Sequence, residues 1–233
     1  SGLMAALDKT ALIEPAIARI GDGATVMIGG FGVPGTPFVL IEELVRQGPR
    51  DLTVVKNDSN EPEMGVDWLL NAGLVRRLIT SHIGLNANAV ALMNAGQIEV
   101  EFVAQGVLAE RIRAAGAGLC GIVTDIGVGT PLTEGKQQIT IDGRARIFEP
   151  ALSADVALIH ADRADRMGNL AYRASARNFN PLMAMAARHV IAEAEQLVET
   201  GAVAPDDVHT AAPFVDAVVP LSELPEVYGV VQR

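Results

Sequence analysis

The 233-residue chain has a single cysteine, Cys120, so it can form neither an internal disulfide nor a cysteine-cluster metal site. That usage suits a reducing cytoplasm. No apolar run approaches the roughly 20 residues a membrane-spanning helix needs, so no membrane partner is expected. No basic segment followed by an apolar one opens the chain, so no signal peptide is expected. Ser1-Gly2-Leu3 reads as a short addition ahead of a natural start at Met4. Basic residues are in deficit, 18 Lys and Arg against 28 Asp and Glu, for a net charge of −10. Such a balance argues against non-specific binding of nucleic acid. The four histidines, His82, His160, His189 and His209, are scattered, and no HExxH pattern exists, so no metal is expected. No G-x-S-x-G elbow occurs, which disfavours a serine hydrolase. Cys120, flanked by apolar residues and glycine, reads as buried packing rather than a nucleophile.

Hydrophobic residues make up 49% of the chain, enough for a well-buried α/β core. Helical periodicity runs from Leu7 to Ile20, and again from Thr36 to Gln47, where Thr36 is a good N-cap and Pro37 a good first helical residue. Short apolar runs at 25–28, 52–55, 74–80 and 98–103 read as strands, with helices at 64–71, 88–94 and 108–114 between and after them. This alternation predicts βαβ units in an open, mainly parallel sheet with flanking helices. Residues 138–148 alternate in the strand period around Asp142-Gly143, a type I′ hairpin signal. Further strands are expected near Ile122, within glycine-rich residues 116–129, and at 156–160, 170–172, 189–193 and 214–219, with a helix at 181–187. The expectation is one domain over residues 1–233, with a β-rich insertion at about 130–150.

Chemistry concentrates where the first strand meets glycines. Residues Thr25–Pro37 read as strand, glycine-rich loop and helix start, an arrangement that aims backbone N–H groups at one spot and suits an anionic group. Gly30-x-Gly32-x-x-Gly35 matches the dinucleotide fingerprint, and Asp58 closes the second strand about where a ribose-binding acid would sit. Pro34 and Pro37 oppose that reading, because they delay the helix beyond the third glycine. A tight turn, another anionic or acyl ligand, and a dinucleotide all remain open from spacing. The next three strands each end in a polar cluster: Asn57-Asp58-Ser59-Asn60, Ser81-His82 and Gln105-Gly106. Strand-ending polar residues often only make turns. Together, at the carboxyl ends of parallel strands, they suggest one cleft. The amide of Gln105 is suited to donate a hydrogen bond to a developing oxyanion. Arg111 and Arg113 could hold a phosphate, but an ion-paired or solvated helix face is the favoured reading, and the roles of Arg173, Arg177 and Asn178 are not legible from spacing.

These blocks, in order, resemble the α subunit of family I coenzyme A transferases: Asp22–Phe31 with Gly35-Thr-Pro37, Gln105–Arg113, Gly116-Ala-Gly118, Gly127–Thr130, Glu134-Gly-Lys136, Asp165–Tyr172 and Ser175–Pro181. The likeness covers residues 8 to 219, and Asn57-Asp58 with Ser81–Gly84 is similar to the acetate/acetoacetate, short-chain branch. It departs at Ala104, Asp125 and Ala211, where prolines are common in the family. The resemblance implies a ping-pong transfer of CoA between carboxylic acids through a glutamyl intermediate, with CoA as substrate and no cofactor. It implies that the nucleophilic glutamate lies on a β subunit, in an α2β2 or similar assembly, since Glu61 and Glu134 match the family's Glu-Asn-Gly context poorly. By the same resemblance Gln105 is the oxyanion donor. Gly29, Gly30, Phe31, Gly32, Val33, Pro34 and Gly35 form the CoA-associated segment, and Asn57 and Asp58 lie near the acyl group. Two other classes stand beside it: an NAD-dependent oxidoreductase, and a non-catalytic binding or scaffold subunit.

Overall fold

The computed structural model describes residues 8–230. The expected start at Met4 and its leader lie outside them. Strands β1 (Thr25–Ile28), β2 (Leu52–Val55), β3 (Val75–Thr80) and β4 (Glu99–Phe102) lie side by side in chain order. On the other flank of β1 come β8 (Ala154–Asp165), β10 (Ala187–Val198) and β11 (Ala217–Pro220). All seven are parallel, and β9 (Leu170–Ala171) adds an antiparallel pairing to β8. The order therefore reverses at β1, between β2 and β8, and the crevice beyond the carboxyl ends of such strands is where ligands bind in open α/β sheets.

The sheet is covered on both faces, as parallel sheets require. Val26, Ile28, Val54, Val156 and Leu158 pack on one face against α1 (Ile13–Ile17), α2 (Phe38–Gln47), α3 (Val66–Asn71) and α4 (Ala87–Asn94). The alternate residues Met27, Val55, Ala157 and Ile159 pack on the other against α5 (Gln105–Gly116) and α6 (Asn180–Ala186). No helix among the described residues is long and apolar enough to cross a membrane.

Several local expectations change. The first helix spans Ile13–Ile17 rather than Leu7–Ile20; Leu7 itself lies outside the described residues. Pro15 explains the late start, since proline is tolerated only in a helix's first turn. Residues before it run extended, with Ala11 N–H donating to the Val218 carbonyl at 2.8 Å. Helix α2 starts at Phe38, with Pro37 in the cap position. Thr36 does not cap it: its hydroxyl donates to the Gly32 carbonyl at 2.6 Å, inside the glycine loop. Helix α5 begins at Gln105, three residues before the periodicity suggests, so Gln105 sits in a helix's first turn. The hairpin forms as expected, β6 (Gln138–Ile141) against β7 (Arg144–Pro150), with φ of 51° at Asp142 and 71° at Gly143. It extends backwards to take in β5 (Gly121–Thr124), giving a three-stranded antiparallel sheet.

Candidate active site

The glycine loop leaves β1 where the strand order reverses. Gly29 N–H still pairs with the Leu158 carbonyl of β8 at 2.9 Å, and the chain then turns tightly, Phe31 N–H meeting the Pro34 carbonyl at 3.0 Å. Gly30 has φ of 103°, and a Cβ there would lie 2.2 Å from the Thr36 hydroxyl and 2.6 Å from the Thr36 nitrogen. Gly35 has φ of 78°, and its Cβ would lie 2.4 Å from the Ala176 carbonyl. Only glycine fits either place. Val33 and Pro34 are half-buried between them, and Phe31 points out, 46% exposed.

The loop is tied from two sides. From the end of β2, Asp58 Oδ1 accepts the Gly32 N–H at 2.9 Å, and Asn60 Nδ2 donates to the Gly32 carbonyl at 3.0 Å. From the start of α6 and the segment before it, Asn178 Nδ2 donates to the Pro34 carbonyl at 3.0 Å, and Asn180 Nδ2 to the Gly35 carbonyl at 3.1 Å. Asn178 thereby gains the role that spacing left open.

Asn57, Ser81 and Gln105, each beyond a different strand, converge. Gln105 Nε2 donates to Asn57 Oδ1 at 2.8 Å. The Ser81 hydroxyl lies 3.1 Å from the same oxygen and 2.6 Å from the Asn57 carbonyl. Asn57 Nδ2 donates to Asp58 Oδ1 at 3.0 Å, which fixes which way its amide points. A primary amide carries two N–H donors, so one bond to Asn57 orients Gln105 and leaves a second hydrogen for a ligand. Gln105 is exposed at the cleft while Asn57 is fully buried.

A small cavity of about 40 Å³ opens beside this group. Gly32, Asp58, Asn60, Glu61, Met64 and His82 contribute to its walls. That space holds a few water-sized groups. It is too small to enclose a large ligand by itself.

Asp58 is 5% exposed. Burial pushes its carboxyl up, but the Lys56 ammonium, the Gly32 N–H and the Asn57 and Asn60 donors outweigh this and hold it below its usual value. Both oxygens are engaged, Oδ2 accepting the Asn60 N–H at 2.9 Å. A ribose-binding acid needs a free carboxylate oxygen, so the dinucleotide reading finds no support in this geometry.

A second polar cluster lies beneath the loop. His160 of β8 and Glu193 of β10 are register partners, and His160 Nδ1 meets Glu193 Oε1 at 2.6 Å while Nε2 meets Glu195 Oε1 at 2.9 Å. Glu193 Oε2 accepts the Leu40 N–H in the first turn of α2 at 3.0 Å, where a carboxylate complements the helix dipole. The Tyr228 hydroxyl joins this group, donating to the Thr36 carbonyl and lying 3.0 Å from His160 Nδ1. Burial alone would lower the His160 pKa; the two carboxylates outweigh it and raise it to about 9. No local spacing reveals this cluster, because its members are 33 and 35 residues from His160 on β10 and 68 residues away at Tyr228.

Two other expectations need correction. Arg111 is buried, donating to the Pro150 carbonyl at 2.8 Å and pairing with Glu101 at 3.2 Å; it ties α5 to β7 and β4 instead of facing solvent. Arg113 does ion-pair on the exposed face, with Glu110 at 2.9 Å. Cys120 is exposed rather than buried, because it follows the end of α5, where the chain leaves the core for β5.

Residues 10–221 match the coenzyme A transferase family. The alpha subunit of the acetate CoA-transferase of Escherichia coli K12 is 45% identical over 211 residues, 91% of this chain and 96% of that one. The corresponding subunit of the 3-oxoadipate CoA-transferase of Pseudomonas putida is 47% identical over 212 residues, covering 90% and 92%. Among solved structures, glutaconate coenzyme A-transferase from Acidaminococcus fermentans superposes with a TM-score of 0.82 at 23% identity, over 94% of this chain and 76% of that one. An acyl-CoA transferase of Escherichia coli O157:H7, solved as a thioester complex with CoA, superposes with a TM-score of 0.86 at 23% identity. It covers 98% of this chain but only 50% of its own, so this chain spans half that transferase's length. The glycine loop at the strand-order reversal and the polar ends of the next three strands therefore sit in a known framework: the chain belongs to the coenzyme A transferase family.

Proposed function

We propose that this chain is the α subunit of an enzyme that moves CoA between a short-chain acyl-CoA and a carboxylic acid such as acetate, acetoacetate, butyrate or another 3-oxoacid. The relatives named for acetate, 3-oxoadipate and succinyl-CoA:3-ketoacid transfer support the class. The observation that carries the reading is the Gln105–Asn57 pair, held beside the glycine loop at the carboxyl ends of the sheet.

The nucleophile in this reading is a glutamate of a β subunit. Its carboxylate attacks the thioester carbonyl, and the resulting oxyanion receives a hydrogen bond from Gln105. The CoA thiolate leaves and an acyl-glutamyl anhydride remains. The thiolate then attacks the glutamyl carbonyl, expelling the first acid as its carboxylate and leaving a glutamyl-CoA thioester. The incoming carboxylate reverses these steps. Both intermediates hydrolyse if wetted, so a closed interface between subunits serves the chemistry. The loop from Gly29 to Gly35 forms one wall of the CoA site, and Asn57 and Asp58 border the acyl group.

In the reconstituted complex, Gln105→Ala is expected to lower kcat by on the order of 10²–10³. Glu61 lines the cavity beside Asp58, whose two oxygens are already engaged, and Glu61→Gln is expected to keep turnover within a few-fold. Steady-state kinetics decide both. Normal turnover in Gln105→Ala would favour a scaffold role, and an inactive, folded Glu61→Gln complex would move the nucleophile into this chain.

A further inference from the structure

Lys56 is the first residue beyond β2, and its side chain is fully buried. Its ammonium lies 3.6 Å from Asp58 Oδ1 and makes no hydrogen bond to any described residue. Burying an ammonium without hydrogen bonds is costly, and nothing about strand packing calls for it. Asp58, in contrast, is already supplied with donors by Gly32, Asn57 and Asn60. Burial pulls the Lys56 pKa down and the Asp58 carboxylate works against that, so what Lys56 brings to this group is charge held by Asp58 rather than a bond. That charge acts at the head of a continuous line: Lys56 to Asp58, Asp58 to the Asn57 amide, and Asn57 Oδ1 to Gln105 Nε2 at 2.8 Å.

We propose that Lys56 is a positioning residue for the transfer reaction: its buried positive charge keeps Asp58 a carboxylate, which holds the Asn57 amide oxygen toward Gln105 and so aims the Gln105 N–H at the thioester oxygen. This deepens the reading of Gln105 as oxyanion donor and rests on it. An ionised Asp58 oxygen is acceptor-only, so it admits one orientation of the Asn57 amide, Nδ2 toward Asp58. A protonated Asp58 would become a donor and permit the flipped amide, which turns Nδ2 against the Gln105 donor. Lys56 touches Asp58, and His82 and Glu61 border the same cavity as Asp58; these are the ionisable side chains that bear on it among the residues described around the cavity. Gln105 is neutral, and the glycine loop meets Asp58 through the Gly32 backbone N–H.

The test uses the reconstituted complex with acetoacetyl-CoA and acetate, comparing wild type, Lys56→Met, Gln105→Ala and the double variant. Lys56→Met is expected to lower kcat at pH 7 on the order of tenfold, with KM for acetoacetyl-CoA changed less than twofold. Its melting temperature should fall, because removing one partner of a buried charge pair leaves the Asp58 carboxylate with its hydrogen bonds alone to offset burial. The acid limb of its kcat–pH profile should move to higher pH, where Asp58 now takes up a proton. In the Gln105→Ala background, Lys56→Met should cost nothing further, since both act through one hydrogen bond. Should Lys56→Met fail to fold, Lys56→Met/Asp58→Asn, which removes both charges, takes its place; it should lose kcat without the displaced acid limb. An unchanged kcat and pH profile in a folded variant would overturn the proposal while leaving Gln105 in its role. Additive losses in the double variant would overturn it too. Normal turnover in Gln105→Ala alone would instead remove the reading beneath it.

Discussion

Gly30 shows how narrowly single residues are specified here. Its φ of 103° lies where an alanine is strained, and the added Cβ would collide with Thr36 backbone, which cannot swing away as a side-chain tip can. Gly30→Ala is expected to destabilise the chain by about 2 kcal/mol or more. Urea unfolding would show this, with transfer activity falling alongside as the loop shifts. Asn57 illustrates what sequence reading reaches at this scale. Its place beyond an apolar strand, next to Asp58, marks it as a site residue, and the structure brings it to Gln105 and Ser81. The direction of its amide is not legible, because that depends on Asp58 and, through it, on a lysine whose burial no pattern announces. A lysine directly after a buried four-residue strand, Leu52–Val55, and two before an aspartate is nonetheless a recognisable oddity.

Elements are joined by groups that titrate as well as by apolar packing. Strands β8 and β10 carry His160, Glu193 and Glu195, and this cluster receives the first turn of α2. Because the folded pKa of His160, about 9, exceeds its ordinary 6.5, the cluster's stabilisation is fully present below about pH 6.5 and is lost as pH rises through about 9. Its size is on the order of 3 kcal/mol. Urea unfolding of the chain across this range should show that decline, and His160→Gln should flatten it. A flat wild-type profile would mean that the imidazole is not charged in the folded protein. Sequence periodicity foresees only the apolar halves of β8 and β10, at 156–160 and 189–193, yet each strand runs 12 residues. The polar residues that follow, Asp162 and Arg163 on one and Glu195 and Gln196 on the other, break the alternation while the backbone ladder continues. The Asp142-Gly143 turn is the opposite case, since its conformation is a property of two adjacent residues and needs no distant partner.

At the scale of the molecule, the sheet presents its polar strand ends, its glycine loop and the first turn of α5 at one margin. The fold class and this margin were readable, because alternation and strand-ending residues are local signals. The strands of the three-stranded sheet were readable, the short one near Ile122 included, but the pairing of β5 with the hairpin was not, since it joins β7 across a long loop. This chain spans half the length of a structurally similar acyl-CoA transferase, and in the proposed mechanism a β subunit supplies the other half of the site. The purified chain is therefore expected to show no CoA transfer alone and to gain it when mixed with its β subunit. Coupled assays across a titration of that partner would give the stoichiometry from the break point. Full activity in the chain alone would end the half-enzyme reading.

The ties on the glycine loop carry one more consequence. Asn60, Asn178 and Asn180 grip the carbonyls of Gly32, Pro34 and Gly35 through neutral amides, which neither gain nor lose protons and are little affected by dissolved ions. These three carbonyl ties are therefore indifferent to acid, base and ionic strength, whereas the Asp58 carboxylate on the Gly32 N–H is a tie on the loop that can take up a proton. Sensitivity to the medium therefore enters through Asp58, through the imidazole below the loop, or through the ligand itself, and not through these amides.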